Sequence, residues 1–144
     1  MEIGELRRRI GRELDAARRD KNERRAATDA AQVAYQRFLN DVAAPLIKQS
    51  VTVLKAEGHA FTSFTPPESV RLASDRATDD FIEIELDDQA HPPQVVGRTS
   101  QTRGRRGVVV SERPIGKGKP IHELTDDDVV EFLLPELRRL VLRS

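Results

Sequence analysis

The chain contains no cysteine. Disulfides, thiolate metal sites and a cysteine nucleophile are therefore excluded. No apolar run approaches the length of a membrane span. The opening residues, Met1 to Arg9, lack the apolar core of a signal peptide. These absences lead to the expectation of a cytoplasmic protein with no membrane contact. Net charge is missing as well, because 24 basic and 24 acidic residues cancel.

What remains is a chain of 144 residues, the size of one ordinary domain. Charged residues make up 33% and hydrophobic residues 38%. That is more charged than the average globular chain, yet too apolar for disorder throughout. Fifteen of the first 25 residues are charged, so residues 1–25 are expected to form a charged helical arm outside the core. Residues 26–144 are expected to form a single α+β domain.

The zero net charge conceals blocks of opposite sign. Residues 1–25 carry net +3, residues 68–91 net −6, residues 92–119 net +6 and residues 120–144 net −3. A basic segment of this kind is either a surface for a polyanion or a neighbour of the acidic segment that neutralises it across adjacent strands. The second reading is the more economical.

Residues 4–43 are predicted to be helix: they contain no proline and are dominated by Ala, Arg, Glu and Leu. Acid-to-base pairs recur at four-residue spacing, Glu5 with Arg9, Asp15 with Arg19 and Asp20 with Arg24. Ile3, Leu6, Ile10, Leu14 and Ala17 form a narrow stripe with the spacing of a coiled-coil seam. The stripe lapses across residues 18–25 and resumes with Ala27, Ala31, Ala34, Phe38 and Val42. Pro45 lacks a donor and clashes with the preceding turn, so a kink or break is expected near residues 42–44. Helix then resumes through Leu54, with Gly58 as a left-handed cap.

From His59 the texture changes to strand and turn. Strands are predicted over 60–65, 69–74, 80–86, 94–102 and 105–113. The third is the clearest, since Ile82, Ile84 and Leu86 alternate with Glu83 and Glu85. Short connections, including Gly104 between the last two, imply an antiparallel meander. After a glycine-containing loop at 115–119, Thr125 is the expected cap of a final helix, with Asp128 three residues on as a shortened capping box. Asp126, Asp127 and Asp128 suit the positive end of its dipole, and Arg138, Arg139 and Arg143 the negative end. The expected fold is two-layered α+β: a long N-terminal helix, a four- or five-stranded antiparallel meander, and a C-terminal helix on one face of the sheet. Ile82, Ile84, Leu86, Val130, Leu134 and Leu137 are the expected core.

Candidate chemistry is sparse. His59, His91 and His122 lie far apart, and none has a partner at ligand spacing. The carboxylates from Asp79 to Asp88 fit the wet face of an amphipathic strand better than a metal or acid/base site. Gly116-Lys117-Gly118-Lys119 lacks the spacing and the Ser/Thr of a phosphate loop, so it is read as a flexible basic loop. No catalytic, metal-binding or cofactor-binding residues are assigned, and the chain is expected not to be an enzyme. The most suggestive set is Arg98, Arg103, Arg105, Arg106, Arg113, Lys117 and Lys119, whose cations suit phosphate. Yet no aromatic residue lies between Gln94 and Lys119, so this ribbon has nothing on which to stack a base. The expectation is a protein-interaction or adaptor module that self-associates, as a homodimer, through Leu6, Ile10, Leu14 and Ala17 and contacts an unidentified protein partner. The alternative is a nucleic-acid or polyanion binder using the 98–119 ribbon.

Overall fold

The computed structural model describes residues 1–142, apart from the side chain of Arg106; Arg143 lies outside the described residues. A single helix, α1 (Ile3–Phe38), opens the chain. Arg9 pairs with Glu5 at 3.2 Å, as the four-residue spacing predicts. Asp15 turns instead to Arg18, three residues away, at 3.4 Å. Such exposed pairs add only a few tenths of a kcal/mol each, roughly 0.2–0.5. The first buried side chain of α1 is Tyr35, so the charged segment contributes nothing to the core.

Of the kink or break expected near residues 42–44, the break does not occur. The chain passes through a π turn, Leu39–Ala43, straight into α2 (Ala44–Ala56). The N–H of Ala44 donates to the carbonyl of Leu39, five residues back. A π turn inserts one residue into the spiral, and it lies at the turn where the proline ring would strike an ordinary α-helical carbonyl. α2 ends as expected. Gly58 has φ 89°, and the N–H groups of Gly58 and His59 donate to Lys55 O and Leu54 O at 3.1 and 2.8 Å, the pattern of a Schellman motif.

Five strands follow: β1 (Phe61–Phe64), β2 (Ser69–Ser74), β3 (Phe81–Asp87), β4 (Gln94–Thr102) and β5 (Val108–Pro114). They form one antiparallel sheet in sequence order, with β1 and β5 at the edges. β5 begins three residues later than predicted. Gly104–Arg106 form a short 3-10 turn, and Arg103 N–H donates to Gly107 O at 2.9 Å. Arg105 and Arg106 therefore belong to the hairpin connection rather than to the strand. A 3-10 turn at Ile121–Glu123, absent from the sequence reading, leads to α3 (Asp126–Leu142). Thr125 and Asp128 form a reciprocal capping box: Thr125 N–H donates to the Asp128 carboxylate at 2.9 Å, and Asp128 N–H to Thr125 Oγ1 at 3.4 Å.

Registers such as Val70↔Ile84 and Ile84↔Gly97 place Val70, Leu72, Ile82, Ile84, Val95 and Gly97 on one face. There they meet Tyr35, Phe38 and Ile47 from the first helices, and Val129, Phe132, Leu133 and Leu140 from α3. Full burial of an aliphatic side chain is worth about 1.5–3 kcal/mol, and Ile47, Leu72, Ile82 and Ile84 all reach it. The alternation of β3 thus points as predicted. Leu86, Val130 and Leu137 are only half-buried, and Leu134, expected in the core, is 59% exposed. The buried stripe of α3 runs through Val129, Leu133, Glu136 and Leu140. Leu134 sits two residues before Glu136, about 200° around the helix at 3.6 residues per turn.

Candidate functional site

The opposite face of the sheet carries the charge. β3 contributes Glu83 and Glu85, flanked by Arg71 on β2 and Arg98 on β4. Arg71 Nε donates to Glu83 at 2.9 Å, while its guanidinium lies 3.9 Å from the Phe81 ring centroid. Ser69 Oγ donates to the same carboxylate at 3.3 Å. So screened, Glu83 is only 6% exposed, although alternation alone puts it on a wet face. Arg98 donates to Glu85 across the β3–β4 ladder. Partial burial raises the Glu85 carboxyl above its ordinary value, and the Arg98 charge opposes that rise.

The basic ribbon is dispersed by the fold. Among the described side chains of its seven residues, only Arg98 pairs with the acidic third strand. Arg113 faces the other side of the sheet and reaches α3, where its Nε donates to Glu136 at 3.0 Å and its terminal nitrogen to Phe132 O at 3.0 Å. Lys119 donates to both oxygens of Asp128 at 3.0 Å. The 115–119 segment is therefore docked on the start of α3 rather than free as expected. Its Gly116, at φ 60°, lies so close to α3's approach that a Cβ would fall 2.2 Å from Leu124. Hydrogen bonds from Thr125 N–H first, then from Lys119, hold the Asp128 carboxyl below the usual aspartate range. Arg103, Arg105 and Lys117 are exposed, and among the described residues they form no ion pair. The side chain of Arg106 lies outside the described residues.

Two of the three histidines, His91 and His122, line one groove, along with Lys119 and with Ala27 and Ala31 of α1. No carboxylate lines that groove among the described residues. His59 is remote from it, at the end of α2. Among the described residues no group of three or more His, Asp or Glu is placed to hold a metal ion, and no helix is long and apolar enough to cross a membrane.

The residues missed by sequence reasoning are Glu136, Gly97 and Tyr35. Glu136 is 1% exposed, deep in α3, and bound by Arg113 and Arg139. Its signal was present: Val129, Leu133, Glu136 and Leu140 follow the spacing of a buried helical stripe. Tyr35 donates its hydroxyl to Glu68 O at 2.6 Å, and burial, aided by the nearby Glu85, Glu83 and Glu68, pushes its phenol above the ordinary value. Gly97 lies against the ring of Phe132.

At the other end of the molecule, Ile3, Leu6, Ile10 and Leu14 are between 45 and 77% exposed on α1. Ala17 is exposed on the same stripe. No family model, curated protein or solved structure matches the chain.

The charge distribution sets an expected result for nucleic acid. Each phosphate neutralised contributes about −0.9 to the slope of log affinity against log salt for duplex DNA. With Arg103, Arg105 and Lys117 as the described cations of the ribbon left without ion pairs, binding through the ribbon should be shallow in salt and negligible at 0.15 M. Fluorescence anisotropy with a labelled duplex checks this. Tight binding at that salt, lost in the Arg103→Ala, Arg105→Ala variant, would restore the polyanion reading.

Proposed function

We propose that the protein is a non-enzymatic adaptor module whose α1 arm joins two copies, each presenting an α+β domain to a protein partner. The observation that carries this reading is the exposed seam of Ile3, Leu6, Ile10 and Leu14 on a helix of 36 residues. At 1.5 Å per residue such a helix is about 54 Å long, several times the radius of gyration of a compact domain of this size, about 14–15 Å. Its first half has no surface of its own domain on which to bury that stripe. A second copy supplies one, and two-fold dimers are the commonest homo-oligomers. The stripe has the three- and four-residue spacing of a two-stranded coil. Arg18 to Arg25 interrupt it, so the arm is a short clamp rather than a long rod.

The test is sedimentation of the full chain over a concentration series. The Leu6→Ser, Ile10→Ser, Leu14→Ser variant should show a lower mass than the parent at every concentration where the parent self-associates. A mass unaffected by these three changes, or a parent that is monomeric at the highest concentration, sinks the proposal. The substitutions lie on an exposed surface, so the melting temperature should stay within a few degrees.

A further inference from the structure

β5 is an edge strand, and the ladder fixes which of its main-chain groups face outward. In an antiparallel pair, facing residues alternate between exchanging both hydrogen bonds and exchanging none. Ile115 N–H donates to Val95 O, and Arg103 N–H to Gly107 O, each at 2.9 Å. With the uniform register between them, Val109, Ser111 and Arg113 turn their main-chain groups toward β4, and Val108, Val110 and Glu112 turn theirs away. The side chains of Val108, Val109 and Val110 are 44 to 55% exposed. Edge strands are ordinarily blunted by charge, proline, a bulge or a cover. Here the blunting residues, Glu112 and Pro114, both lie at the far end, and the valine end is open.

We propose that β5 pairs antiparallel with β5 of a second copy about a two-fold axis at Val109, joining two five-stranded sheets edge to edge. This surface is distinct from the arm and does not depend on it. The register follows from three features. Val108 then lies opposite the partner's Val110, and Val109 opposite the partner's Val109, so the exposed methyl groups on both faces cover one another. Glu112, which makes no ion pair among the described residues, lies opposite the partner's hairpin turn, where Arg103 and Arg105 are also without one. Pro114 falls past the ladder's useful end, so its missing N–H forfeits no bond. Moving the axis two residues, to Ser111, would set Val110 against the partner's Glu112 and Val108 against the partner's Pro114, losing both the apolar and the charge match.

The experiment uses the full chain with Leu6→Ser, Ile10→Ser and Leu14→Ser already in place, so that the arm is silent. Sedimentation over a concentration series should still show a reversible dimer. Adding Val110→Pro removes an outward N–H that makes no bond within the sheet, and should give monomer throughout with the circular dichroism of the parent. Glu112→Arg should weaken the dimer at least tenfold, and Arg105→Glu added to it should restore most of the loss. If Val110→Pro compromises folding, hydrogen exchange on the arm-silenced parent replaces it: the amides of Val108 and Val110 should be protected at high concentration and open on dilution. An arm-silenced chain that is monomeric throughout overturns the β5 pairing while leaving the arm reading intact. So does a dimer indifferent to Val110→Pro, amides of Val108 and Val110 that stay open at high concentration, or a Glu112→Arg loss that Arg105→Glu fails to repair. A monomer that instead binds a synthetic acidic strand peptide assigns the edge to a peptide partner and likewise overturns pairing between copies.

Discussion

Arg113→Ala should lower the unfolding free energy by about 3 kcal/mol, the size of effect seen when one partner of a buried ion pair is removed. The Glu136 carboxylate is 1% exposed and takes its shortest ion pair, 3.0 Å, from Arg113. Arg139 reaches the other oxygen at 3.2 Å from a more exposed position, so it does not replace the missing hydrogen bond. The same truncation strips Phe132 O of its guanidinium donor and removes a cation 5.0 Å from the Phe132 ring centroid. Urea unfolding reads the effect directly: at a slope of about 1–3 kcal/mol per molar, the midpoint should fall by about 1–3 M. The loss comes mainly from a stranded charge, so Glu136→Leu added to Arg113→Ala should recover most of it. Arg139→Ala should cost under about 1 kcal/mol, as expected for a largely exposed ion-pair partner. A cost for Arg113→Ala no greater than that for Arg139→Ala would show that the pair matters little.

The second large effect is steric. A Cβ on Gly97 would lie 2.1 Å from Cζ of Phe132 and 2.4 to 2.5 Å from its two Cε atoms. The ring rests on the bare backbone of β4, and α3 is held against the sheet there by a side chain with little freedom to retreat. Gly97→Ala should therefore destabilise by about 3 kcal/mol, the upper end for overpacking in a filled core. For a chain of this size that is a fall of about 10 °C in melting temperature. Phe132→Leu makes room at the site, so in that background the Gly97→Ala penalty should shrink below about 1 kcal/mol, a coupling typical of residues in contact. Equal penalties in the two backgrounds would mean that the ring is not what excludes the methyl group.

Much of the architecture was legible because it rests on local rules. The β2 and β4 spans match the structure residue for residue, and Ile82 and Ile84 point inward as their alternation demands. Gly58 and the Thr125–Asp128 box sit where chain-terminating chemistry puts them. What escaped were pairings between distant elements. Arg113 and Glu136 are 23 residues apart, and a charge on a helix is ordinarily read as its outward face. Gly97 reads as a weak strand residue until α3 is laid across it. The basic ribbon looked continuous because sequence cannot show that Arg98 and Arg113 project from opposite faces of the sheet. Arg98 is taken by β3, and Arg113 and Lys119 by α3. The exposed seam of α1 was legible because it depends only on helical spacing.

The π turn at Leu39–Ala43 governs direction as well as continuity. One residue of α-helix corresponds to about 100° of rotation. Removing the extra residue to restore an ordinary α-turn would swing everything upstream of Leu39 by about that angle about the helix axis, and would take Tyr35 and Phe38 out of their places on the sheet with it. The Ile3–Leu14 stripe would then look out in a different direction, and any pair of copies joined through it would change shape without a single contact residue being altered. Pro45 opposes that change, because an ordinary helical turn around it costs about 3 kcal/mol. A proline some 31 residues from Leu14 thus acts as the compass of the arm.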